Sequence, residues 1–170
     1  MALFARVVMI IVLALLVTLL VLTAFLVFVA DDFSALFDLV DLDEDLPAPS
    51  LIVGGIGLLV MTCTIVCLAR AFWAIHRIMQ RAVQDDFLKL AYQLRVCAFS
   101  IIAFWGFIQI LLGPVSYALI AHIPADIRPS VDYFPFELEA IYLVLALPLL
   151  VTASALRRAA EIEEENSQFL

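Results

Sequence analysis

The chain has 170 residues, of which 66% are hydrophobic and only 15% charged, with a mean hydropathy of +1.14. Too few polar residues remain to cover a soluble surface, which excludes a water-soluble globular domain and makes lipid the solvent. The formal charge of -8 averages two oppositely charged sets of segments, so it does not by itself point to a basic partner.

Four long apolar runs order the chain. The first, Val7 to Ala30, is uncharged and interrupted only by Thr18 and Thr23. At 1.5 Å per residue it is ample for a hydrocarbon core of about 30 Å. It exceeds the usual apolar region of a secretory signal, and Phe28 spoils a small-x-small cleavage site before Asp31, so a retained anchor is expected. Asp31 to Ser50 follows, with seven acids and no base. Its residues Phe33, Leu36, Phe37 and Val40 recur at i, i+3, i+4 and i+7, which predicts an amphipathic helix with Asp32, Asp38 and Asp41 toward water. Such a helix either covers the bundle or forms a vestibule that gathers cations. Asp41, Asp43 and Asp45 imitate the first ligands of a calcium loop, but Leu46 replaces the required turn glycine and Ile52 the closing acid, so that reading fails.

The second run is free of charge from Leu51 to Ala69, contains Gly54, Gly55 and Gly57, and meets Arg70, with Trp73 marking the interface. The segment Arg70 to Arg95 mixes five bases with apolar residues, which predicts two antiparallel helical extensions. Asp85-Asp86 marks the turn between them, and Asp86 is placed to cap a helix beginning near Phe87. The third run extends from Val96 to Ala121, and Gly113-Pro114 should kink or end its helix. The fourth, with Pro148 near its middle, is short enough to raise a re-entrant loop. Tyr142 at one end and Arg157-Arg158 at the other resemble the anchors of a spanning helix.

The expected fold is therefore all-α, a single integral membrane four-helix bundle over residues 1–170, with spans at about 7–30, 51–73, 96–121 and 138–157. An acidic outer loop covers 31–50, a basic inner hairpin 70–95 and an acidic inner tail 159–170. Arg6, Arg70, Arg77, Arg81, Lys89, Arg95, Arg157 and Arg158 fall on one side, against Arg128 alone on the other, so both termini are expected to be cytoplasmic.

Few residues carry chemistry. Arg70, Arg77, Arg81, Lys89, Arg95, Arg157 and Arg158 are candidate contacts for anionic lipid or a protein partner. They would face lipid phosphate before any nucleic acid, so no direct nucleic-acid partner is expected. Gln109 is the strongest polar group inside the hydrocarbon, ahead of Ser100, Thr62, Thr64, Thr152 and Ser154. It reads as an interhelical hydrogen-bonding residue contributing about 0.6 kcal/mol. No carboxylate or base lies within a span, which argues against ion coupling. Cys63, Cys67 and Cys97 lie in or beside spans and read as packing residues; with Met61 and Met79 they would otherwise suit Cu(I). His76 and His122 are separated by a membrane thickness and cannot share one metal or haem, and no serine lies in a nucleophile motif. No enzyme activity, cofactor or metal is expected.

The ending LVTASALRRAAEIEEENSQFL resembles that of a family of small bacterial four-span membrane proteins catalogued only as a domain of unknown function. Its most specific part is Arg157-Arg158-Ala159-Ala160 with Glu161, Glu163 to Glu165 and Asn166, and Phe87 with Leu94-Arg95 approximates the family's inner loop. The resemblance implies a multi-pass protein of the bacterial inner membrane, often encoded beside a small helix-turn-helix regulator, and no catalytic residue. The function expected is thus non-enzymatic docking or regulation with a cytoplasmic partner or by self-association. The competing class is a small oligomeric transporter or channel for a cation or small solute, with Gly113-Pro114 and Pro148 as its flexible points.

Overall fold

In lipid a chain must satisfy its backbone polar groups within its own segment, so apolar runs of this length are stable only as continuous helices. The computed structural model describes residues 2–30, 32–40, 42, 47–80, 86–130 and 140–167, and no strand occurs among them. Helix α1 (Ala2–Phe25) runs into a π turn at Leu26–Ala30. Short α2 (Ser34–Leu39) is followed by α3 (Leu51–Ile78). Helix α4 begins as Phe87–Ile110, passes through a π turn at Leu111–Val115 and continues as Ser116–Ile120; α5 spans Ala140–Ser167. Four of these helices are long and apolar enough to cross a membrane.

The four long helices pack in chain order. Helix α4 lies between α3 and α5 with extensive contact to both, while α1 packs mainly on α3 and to a lesser extent. Burial follows this order: 33% of the most apolar stretch is buried in α3 and in α4, but only 11% in α1 and α5, whose exposed faces are left to lipid. Tyr142 meets Phe104 edge to face at 5.4 Å, and Leu149 packs on the cluster of Ala71, Ala74 and Cys97, so α4 and α5 are antiparallel. The small side chains of that cluster let α3 and α4 approach closely, as expected where lipid supplies no hydrophobic drive for association.

The largest apolar core lies at the opposite end, under α2. Phe33, Leu36, Phe37 and Val40, the residues of the predicted amphipathic face, are all buried there with Val27, Leu58, Leu119 and Ile120. Asp32 and Asp38 remain exposed as the spacing predicts, and the Asp32 carboxylate accepts a hydrogen bond from the Ser34 amide (2.9 Å). Helix α2 is thus a packed cover on the bundle.

Two elements differ from the sequence expectation. Pro114 neither ends α4 nor leaves a simple kink. The chain widens into a π turn, and Ser116 donates both its amide and its hydroxyl (2.9 Å) to the Leu111 carbonyl, which restores the ladder beyond the proline. Helix α5 is long enough to span, as expected, but its 28 residues pass unbroken through Pro148 and run about 42 Å, ten residues beyond the expected end at 157. By contrast, α3 and α4 continue past their apolar runs as the predicted helical extensions, because no glycine or proline interrupts residues 70–78 or 87–95.

Candidate functional site

The packing of α3 against α4 brings most of the basic residues to one end of the molecule. Asp86 is the N-cap of α4: its carboxylate accepts from the Lys89 amide (3.0 Å) and forms an ion pair with Lys89 Nζ (2.8 Å). The Lys89 side chain and amide hold the Asp86 carboxyl below the usual carboxylate range. Across from Lys89, the Arg77 guanidinium lies over the Trp73 ring, 5.2 Å from its centroid, and Trp73 is exposed as an interfacial anchor should be. Arg77, Lys89, Trp73 and Tyr92 share one open cleft of about 450 Å³.

One to two turns deeper, Arg70 of α3 and Arg95 of α4 line a second cleft of about 350 Å³, walled by Tyr92, Val96 and Phe99 and floored by Ala103. Neither guanidinium makes an ion pair or hydrogen bond among the described residues. Extending the antiparallel register of α4 and α5 by about two turns from Leu149 brings Arg157 to the level of Lys89. Arg157 is paired with Glu161 one turn on (2.9 Å), and Arg158 stands on an exposed face of α5. Past that pair, 161–165 remain helical and fully on the surface, with Ile162 exposed among the acids. Six of the seven predicted basic contacts therefore gather at one end; Arg81 lies outside the described residues, as do Asp85, Glu137, Glu139 and the calcium-loop imitators Asp41, Asp43 and Asp45.

Gln109 belongs elsewhere. It is buried in α4 just before the π turn, in the half of the helix nearer α2. Three of the five intramembrane hydroxyls predicted as companions turn back on their own helices: Thr62 donates to Leu58 (2.7 Å), Thr64 to Val60 (2.9 Å) and Ser154 to Leu150 (2.9 Å). Thr18 and Thr23 do the same in α1. Polar groups used in this way stabilise single helices and do not line a path between them.

The three cysteines are free: Cys63 is half-buried in α3, Cys67 borders the Arg70–Arg95 cleft, and Cys97 is buried against Ala71 and Ala74. Among the described residues no three His, Cys, Asp or Glu side chains converge as a metal-binding group. The histidines lie at opposite ends, His76 beside Trp73 and His122 donating to the Pro47 carbonyl (2.9 Å), which ties the segment before α3 to the end of α4.

Sequence reasoning missed two features. Arg128, read only as the lone base of its side, closes the end of α4, donating to the carbonyls of Ala121 (2.9 Å) and Ile123 (2.7 Å) with its guanidinium over Tyr117. A basic residue near the end of a helix can satisfy its last carbonyls, and that pattern was available in the sequence. The Arg70–Arg95 cleft had no such local sign, since its walls come from two helices. In comparison with known proteins, no protein-family profile, no curated protein and no solved structure matches the chain.

Proposed function

We propose that this protein is a non-enzymatic docking or regulatory component of a bacterial inner membrane, with both termini in the cytoplasm and its arginine end facing a cytoplasmic protein partner. The orientation rests on the bias of basic residues, which favours retention of that end inside. The observation that carries the docking role is the projection of α5: it stays helical beyond Arg157-Arg158 and presents an exposed acidic turn, with Ile162 among its glutamates, past the level of the Asp86 cap. An exposed helical face of mixed acidic and apolar character suits a basic, groove-bearing partner. A small helix-turn-helix regulator, as the sequence resemblance implies, has that character.

Crosslinking from native membranes tests this, comparing the full chain with a variant lacking 161–170. A partner captured by the full chain and lost with the tail supports docking. Capture of the same partners by both chains refutes a role for the tail, and ion flux in liposomes that disappears in Gln109→Leu would transfer the weight to a transporter. A reporter fused after Leu170 should be active only in its cytoplasmic form; activity outside would overturn the orientation.

A further inference from the structure

The cleft between α3 and α4 has the chemistry of a lipid site. Along α4, Tyr92, Arg95, Val96, Phe99 and Ala103 recur at three- and four-residue intervals and so face the cleft as one stripe. Phe99 and Ala103 belong to the apolar run, whereas Arg95 and Arg70 stand at the first charged level of their helices, where phosphates of a bilayer lie. Of the other described basic residues at this end, Lys89 is paired with Asp86, Arg157 with Glu161, Arg77 is stacked on Trp73, and Arg158 stands on α5 outside the cleft. Arg70 and Arg95 alone combine an apolar groove below with two guanidiniums free of carboxylates among the described residues. Guanidinium forks match phosphate oxygens in pairs, and the exposed Tyr92 ring supplies an amphipathic wall at headgroup depth.

We propose that this cleft binds one anionic glycerophospholipid, its phosphate held between Arg70 and Arg95 and one acyl chain lying along Val96, Phe99 and Ala103. The site rests on the reading of the four helices as membrane spans and does not depend on capture of a protein partner. The proposal separates a built site from the general attraction of basic residues to anionic membranes, because it assigns binding to two arginines and excludes Arg158.

The test is native mass spectrometry of the full chain in detergent, titrated with phosphatidylglycerol or with phosphatidylcholine of the same acyl chains. One phosphatidylglycerol should be retained in preference to phosphatidylcholine. R70Q/R95Q should weaken that retention roughly twenty-five-fold, since each base near an anionic headgroup contributes about fivefold. R158Q should leave it unchanged. R70K/R95K preserves the charge that orients the protein but removes the forks, so its retention should fall between wild type and the glutamine pair. Excess inorganic phosphate should not displace the lipid. Equal retention of the two lipids, wild-type retention by R70Q/R95Q, an equal loss in R158Q, or displacement by phosphate alone would each overturn the assignment. Failure to capture any tail-dependent partner, with the lipid still retained, would refute docking and leave the lipid site standing.

Discussion

Replacing Gly54 with alanine puts a Cβ 2.5 Å from Cε1 of Phe33 and 3.2 Å from Cγ1 of Val27. Both neighbours are buried beneath the α2 cover, Phe33 at 3% and Val27 at 0% exposure, so the ring can yield only by lifting α2 from α3. Overpacking of this kind costs about 1–3 kcal/mol, while exchanging glycine for alanine in a helix gains about 1 kcal/mol. The expected net loss for Gly54→Ala is therefore about 1 kcal/mol. The same substitution at Gly106 meets nothing within 4 Å and should keep the whole propensity gain, and at Gly55 the new Cβ meets only Phe28 at an ordinary 3.8 Å. Gly57→Ala falls between, because its 3.3 Å neighbour is the flexible end of Leu36. Two chemically identical changes, at Gly54 and Gly106, should thus differ by about 2 kcal/mol. Unfolding in mixed micelles by circular dichroism measures that difference, and hydrogen exchange over 34–39 reports whether α2 has lifted. Equal stability of the two variants, or unchanged protection of α2 in Gly54→Ala, would refute the close packing of α2 on α3.

The remaining predictions concern the core under α2 and the ends of α4. Phe37→Ala empties a site that is 1% exposed and should cost about 3–4 kcal/mol in the same unfolding assay; a loss below about 1 kcal/mol would contradict its burial. Arg128→Gln removes the guanidinium bonds to the Ala121 and Ile123 carbonyls and should cost about 1–2 kcal/mol, with faster hydrogen exchange across 117–123; unaltered exchange there would count against its capping role. Asp86→Ala should fray the first turn of α4. The Asp86 carboxyl is held low by the Lys89 side chain and amide, so its stabilisation is complete above the ordinary carboxylate value and is lost as pH falls through the lowered one. Helix content of wild type minus Asp86→Ala should therefore decline only below about pH 4, and a decline centred near neutrality would identify a different titrating group.

Features that depend on residues within one or two turns were legible in the sequence. The four spans follow from uninterrupted apolar length, the burial of Phe33, Leu36, Phe37 and Val40 from helical spacing, and the Asp86 cap from an acid preceding a helical pattern. Tertiary structure alone decided that the long helices pack in chain order, that the main core lies under α2, and that Gly54 accommodates the Phe33 ring. It also decided how α4 continues past Pro114 through the Ser116 hydroxyl, and that Arg70 and Arg95 open on one cleft from different helices. The division has a physical cause. Periodicity and capping are set by neighbours along a single helix, whereas lipid solvates every apolar face almost equally well, so hydrophobicity does not say which faces meet. That choice is made by the fit of small and large side chains across an interface, a property that no one helix contains.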